Sequence, residues 1–150
     1  MPVSAAIAES NRAQTERLRR LVGRLTPDML AVRLPHGWTV AVALAHLAFW
    51  DRQRLCLMRR WAAGEWCDGG YHGELFNEVL QPFLEMLPPE RAAAAALRAA
   101  EEVDAFLLAV PDEVVEAALS RPDRPNLDRS MHREYDLDRI ERALAEAGHA

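Results

Sequence analysis

Val40-Ala41-Val42-Ala43-Leu44-Ala45-His46-Leu47-Ala48-Phe49-Trp50-Asp51 is apolar at every position but two, His46 and Asp51. At 3.6 residues per turn this run has no polar stripe, so it predicts a helix with neighbours on all sides rather than one lying on a surface. Thr39 stands where an N-cap belongs, and the pattern predicts a helix running from that cap to about Ala63. Trp38, Phe49, Trp50 and Trp61 give it bulk. A histidine inside such a run must find a partner, because an unsatisfied buried polar group costs a few kcal/mol.

The flanking sequence is punctuated for helices too, and no period-2 stretch of β-branched residues is long enough for a strand. A first helix is expected from about Ser4 to Leu25, with Leu18, Leu21, Val22 and Leu25 as its apolar stripe. Thr26-Pro27-Asp28 reads as a cap with proline at the first helical position, and Leu34-Pro35-His36-Gly37 as a loop. Gly64 to Gly73 is a second loop, carrying Trp66, Cys67, Asp68, Tyr71 and His72. Glu74 to Leu87 has helical period but holds Pro82, which is expected to kink or split it. A long alanine-rich helix is expected over Glu90–Ala109, a short one from Pro111 to about Leu119, and a last one from about Leu127 to Ala147, stopping at Gly148. Four long helices with short excursions predict an all-α helix bundle forming a single domain over residues 1–150.

With 50% hydrophobic and 27% charged residues the chain has the balance of a globular domain. The net charge is −5, acids and arginines are interleaved, and no cationic block appears, so no nucleic acid is expected as a partner. All 18 basic residues are arginine. No apolar run reaches the ~18 residues of a membrane span, and the first residues do not resemble a signal peptide, so no membrane partner and a cytoplasmic location are expected. Cys56 and Cys67 cannot build a disulfide framework; both are expected reduced, and Cys56 is expected as a small buried hydrophobe on its helix.

Far downstream, His132 and Asp136 lie four residues apart in His132-Arg133-Glu134-Tyr135-Asp136. That spacing puts both on one helix face, about 6 Å apart along the axis, and Ile140 and Leu144 continue the stripe inward. His46, His132 and Asp136 could then converge on one divalent metal ion, with positions left open as in a catalytic or substrate-binding centre. The competing reading is plain: His46 is a core residue bonded to a carbonyl, and His132 with Asp136 is a helix-surface pair worth a few tenths of a kcal/mol.

Gly37-Trp38-Thr39-Val40 followed by Leu44-Ala45-His46-Leu47-Ala48-Phe49-Trp50-Asp51 resembles the second-helix signature of the DinB/YfiT-like superfamily, which includes the N-terminal domain of mycothiol-dependent maleylpyruvate isomerase. Phe76-Asn77-Glu78 looks like that family's asparagine-containing stretch, and His132 to Ile140 is similar to its last-helix motif. The resemblance implies a four-helix bundle of DinB/YfiT-like type with short additional helices, a homodimer, and a three-residue site holding zinc or nickel. On it, His46 and His132 match metal ligands, while Asp136 stands where the family usually has histidine. Aspartate is shorter and harder, which implies weaker zinc or nickel binding, a different divalent ion, or a metal-free member.

The implied activity is metal-dependent chemistry on a small-molecule substrate: thiol-dependent transfer or isomerisation, with a low-molecular-weight thiol such as mycothiol or bacillithiol, or hydrolysis. The alternative is a non-catalytic binding or stress-response bundle with a vestigial site. Around the three ligands, Asp51 is either an acceptor orienting an imidazole or a solvated helix residue. Arg129 and Arg133 either face an anionic ligand or form a solvated charged face. Trp50 and Tyr135 line a pocket mouth or pack in the core, His72 covers the site or lies exposed, and His36 and His149 are expected at the surface.

Overall fold

A computed structural model describes residues 1–67, 73–123 and 126–150 of the chain. Among them are seven helices and no strand: α1 (Val3–Arg24), α2 (Pro27–Leu30), α3 (Val40–Ala62), α4 (Gly73–Glu85), α5 (Pro89–Ala109), α6 (Asp112–Leu119) and α7 (Ser130–Glu146). No helix among the described residues is long and apolar enough to cross a membrane.

The expected all-helical pattern is present, and α3 is the central element. Every residue of Val40–Ala48 is buried, so the burial surrounds the axis there, as the unbroken apolar run requires. Thr39 caps it, with Oγ1 accepting from Val42 N at 3.2 Å. The preceding turn aims the helix: Leu34 N bonds to Trp38 O, Val40 N to Val32 O, and Arg33 and Thr39 form an isolated antiparallel bridge. Gly37 closes that turn at φ 101°, a backbone state other residues rarely adopt. α5 packs along α3 through Ala92, Ala93, Ala96, Ala99 and Ala100, whose small side chains let the two backbones approach closely. α1 packs against both α5 and α7, and α7 also meets α3.

Beside a small cluster of Val42, Ala45, Leu84 and Ala92, the apolar interior has two large ones. One cluster holds Leu18, Leu21, Leu44, Leu47, Ala96, Leu137, Ile140 and Leu144; the other holds Leu55, Met58, Trp61, Val103, Leu107, Val115 and Leu127. Between them lies a polar layer contributed by Asn11 and Thr15 of α1, Asp51 of α3, Asp104 of α5, and Arg129 and Arg133 at the start of α7. From this order, α1 and α7 run opposite to α3 and α5. Arg133 is completely buried, and its guanidinium reaches Asp51, Thr15, Asp104 and the Ala100 carbonyl. A buried charge is tolerable only with that degree of pairing.

Several expectations are corrected. Pro82 does not split α4, which runs unbroken through it on an exposed face. α7 begins at Ser130 rather than Leu127, because Leu127 is buried in the second cluster and the Asp128 carboxylate accepts from Ser130 N, making a turn of the residues before the helix. As expected, Thr26 caps and Pro27 opens α2, a single helical turn, with Thr26 Oγ1 accepting from Met29 N. Cys56 is exposed on α3 rather than buried, on the strip it shares with the exposed Arg52 and Arg59; both thiols are free. The expected position of His72 falls outside the described residues, as do Asp68 and Tyr71.

Candidate metal centre

His46, His132 and Asp136 come together. One ligand atom from each lies within 4.8 Å of the others, a group that could hold a metal ion. α3 delivers His46 from its apolar run, and α7 delivers His132 and Asp136 one turn apart on the face that Leu137, Ile140 and Leu144 anchor in the core. His46 Nδ1 stands 3.8 Å from Asp136 Oδ2, and His132 Nε2 stands 3.5 Å from the same oxygen. The two imidazole rings are 5.7 Å apart between centroids. His46 is 7% and Asp136 9% exposed.

Two atoms of this group are orphans. His46 Nδ1 and Asp136 Oδ2 are both buried, and neither has a hydrogen-bond partner among the described residues. Buried polar atoms are otherwise paired in folded proteins, and each unpaired one costs about 1–3 kcal/mol. Both face the gap shared with His132 Nε2. A cation there satisfies both orphans, and gains His132 Nε2 as a third donor in the tautomer that carries the ring proton on Nδ1.

The other edge of His46 is held in place. Its Nε2 lies 3.0 Å from Asn77 Oδ1 of α4, and Trp50 Nε1 lies within 3.2 Å of that oxygen and 3.0 Å of the same Nε2. In the tautomer where His46 Nε2–H and the Trp50 indole N–H both donate to the Asn77 carbonyl oxygen, Nδ1 keeps its lone pair for a ligand, the arrangement metal-binding histidines usually have; in the other, Nε2 accepts from Trp50. Asn77 is thus a site residue that sequence reading placed only within a family-like stretch. Trp50 is buried beside it, whereas Tyr135 is exposed.

His132 is held differently. Arg129 donates from one terminal nitrogen to His132 Nδ1 at 2.6 Å, and its Nε donates to Asp51 Oδ1 at 2.7 Å. Arginine only donates, so Nδ1 accepts and the neutral ring carries its proton on Nε2, facing the gap. Burial first, and the Arg129 charge second, lower the His132 pKa to about 4, so the ring is uncharged at neutral pH. Asp51, Arg129 and Arg133 are buried at 0%, 4% and 0% exposure, which overturns the readings of a solvated aspartate and a solvated arginine face. Nor do the two arginines face an open ligand site; both are engaged with Asp51. Asp51 orients an imidazole at one remove, through Arg129.

His36, expected at the surface, is exposed, yet it belongs to the rim of the centre. Its ring packs on Trp38 at 4.9 Å, and Trp38 packs on His46 at 4.9 Å. His149 is partly buried at the far end of α7. The chain matches no family model, and no curated protein or solved structure is similar to it.

Proposed function

We propose that this chain is a metal-dependent enzyme of DinB/YfiT-like type: a four-helix bundle of α1, α3, α5 and α7, acting on a small molecule through a divalent cation held by His46, His132 and Asp136. The observation that carries this reading is the pair of buried, unpartnered atoms, His46 Nδ1 and Asp136 Oδ2, aimed at one gap. Three protein ligands leave positions for water or substrate, and when bound such an ion lowers the pKa of a coordinated water or thiol to near neutrality.

The chain's own residues do the rest. Asn77 and Trp50 fix the His46 ring with Nδ1 inward. Arg129, anchored on Asp51, holds the His132 ring with Nδ1 accepting; ligation through Nε2 would need the ring proton on Nδ1, so the Arg129 hydrogen bond would open when a cation binds. Asp136 supplies the negative charge that favours a dication over a neutral guest. Zinc and nickel suit two imidazoles and a carboxylate, and the carboxylate widens the range toward manganese or iron. Thiol-dependent transfer or isomerisation, or hydrolysis, is the chemistry that fits an open site able to bind a sulfur or a water; a cytoplasmic thiol is its companion and a homodimer its working form.

The test is metal loading of untagged protein. Incubation with zinc, nickel, cobalt or manganese and removal of excess should leave one equivalent per chain. At a free-ion level of about 100 times Kd, stability should rise by about 2.7 kcal/mol. For a domain of this size that is a rise in Tm of about 5–10 °C, reversed by chelator. The double variant H46A/H132A should lose the response. Failure of all four ions to bind refutes the metal reading and leaves the second one, a non-catalytic bundle, which Asp136 in place of the family's histidine favours.

A further inference from the structure

Arg129 and Arg133 are committed to Asp51 within the polar layer, so neither is available to an anionic ligand. The cation at the mouth of the centre is Arg139. It follows Asp136 by three residues on α7, which makes the two neighbours on one face, about 5–6 Å apart at Cβ. Its guanidinium lies over the Tyr135 ring at 5.1 Å, and one terminal nitrogen donates to His36 Nδ1 at 2.8 Å. His36, Trp38 and His46 then form a row of packed rings, each 4.9 Å from the next, leading from Arg139 to the orphaned Nδ1.

The carboxylates along this part of α7 are occupied elsewhere. Asp138 and Glu141 pair with Arg17, and Asp136 faces the two imidazoles. Among the described residues, no carboxylate oxygen lies within 4 Å of Arg139. Because arginine cannot accept, His36 Nδ1 is the acceptor and its ring proton sits on Nε2. The pair therefore presents Arg139 N–H groups and an imidazole N–H, with one positive charge, one helical turn from Asp136 and with the Trp38 ring between His36 and His46.

We propose that Arg139 and His36 form the anion-binding subsite of the metal centre, and that its ligand is a small carboxylic acid. The proposal deepens the metal-enzyme reading and rests on it for the role of the neighbouring gap. Arginine's planar fork matches a carboxylate. A single positive charge suits a monoanion, and the nearby Asp136 carboxylate repels a dianion such as phosphate. Burial, and next the Arg139 charge, hold His36 below the ordinary histidine range, which keeps the ring neutral and its donor in place at neutral pH. One helical turn separates Arg139 from Asp136. An acid whose reactive atom lies a few bonds from its carboxyl group spans that step, with Trp38 as an apolar wall.

The probes are benzoate, its neutral twin benzamide, and inorganic phosphate, titrated calorimetrically into the protein with and without cobalt. Benzoate should bind more tightly than either of the others. R139Q should weaken benzoate by about tenfold or more while leaving benzamide, the far-UV spectrum and Tm unchanged. R142Q, which removes an exposed arginine of the same helix, should leave benzoate as it was. The cobalt titration reports on the metal reading separately: if cobalt does not bind, that reading falls, and the response of the metal-free protein to R139Q still decides the subsite. Equal benzoate affinity in R139Q and the parent, no benzoate binding by either form, or tighter binding of phosphate each overturns the proposal.

Discussion

Replacing Asp51 by asparagine removes the anion that Arg129 and Arg133 share. Each arginine donates its Nε to a different Asp51 oxygen, at 2.7 and 2.9 Å, and Asp51 is completely buried. The layer is balanced as it stands, with two guanidiniums against Asp51 and Asp104. The D51N side chain keeps the shape, leaves one positive charge uncompensated, and turns an NH2 toward an arginine donor. Breaking a buried pair from one side costs about 3–5 kcal/mol. At about 2–4 °C per kcal/mol for a domain of this size, Tm should fall by about 6–20 °C. Thermal and urea unfolding at neutral pH, followed by circular dichroism, measures it. The fall should persist in about 1 M salt, because buried pairs are poorly screened. Adding R129M to D51N should recover part of the loss, since the orphaned charge leaves with its side chain. A fall below about 3 °C, or one that vanishes in high salt, would show that water already solvates this layer and that the buried-charge argument is wrong.

Two further outcomes follow from neighbouring contacts. Asn77→Ala takes away the oxygen that lies 3.0 Å from His46 Nε2, and metal affinity measured by competition with a chelator should drop about 10–100-fold with little change in fold; undiminished affinity would remove Asn77 from the site. Asp112 accepts the Val3 and Ser4 amides at the start of α1, and those hydrogen bonds, the Ser4 amide first, hold its carboxyl below the usual range. A depressed folded pKa means that its contribution is present above the ordinary aspartate pKa and fades as pH falls through the folded value. The stability gap between the parent and D112N should therefore be full at neutral pH and close below about pH 4; a gap that does not change with pH would refute the linkage.

The helices were legible in the sequence because apolar period, caps and breakers are local signals. Thr39, the Leu18 and Leu21 stripe, and the His132–Asp136 spacing all act over a turn or two. The convergence of His46 with that pair was legible too, since a histidine in an apolar run and an i, i+4 pair backed by Ile140 and Leu144 both had to face inward. The polar layer was not. Arg129 and Arg133 have the same sequence pattern whether they face water or Asp51, because the partner lies on another helix and only tertiary packing decides. Cys56 failed for a related reason: on a helix buried over most of its surface, one strip remains exposed, and periodicity without a polar stripe does not say where. Asn77 and His36 carry no local signal of their own; their roles come from α4 and the Gly37 turn lying across the end of α3.

The polar layer draws its members from α1, α3, α5 and α7, and Asp51 meets Arg133 across 82 residues of chain, Asn11 meets Arg129 across 118. No subset of these helices satisfies it. Until the last has docked, the layer offers desolvation without reward, so it belongs on the native side of the folding barrier. Once closed, it must be torn open before either apolar cluster can separate. Its weight therefore falls on how slowly the native state comes apart, and hardly at all on how quickly it forms.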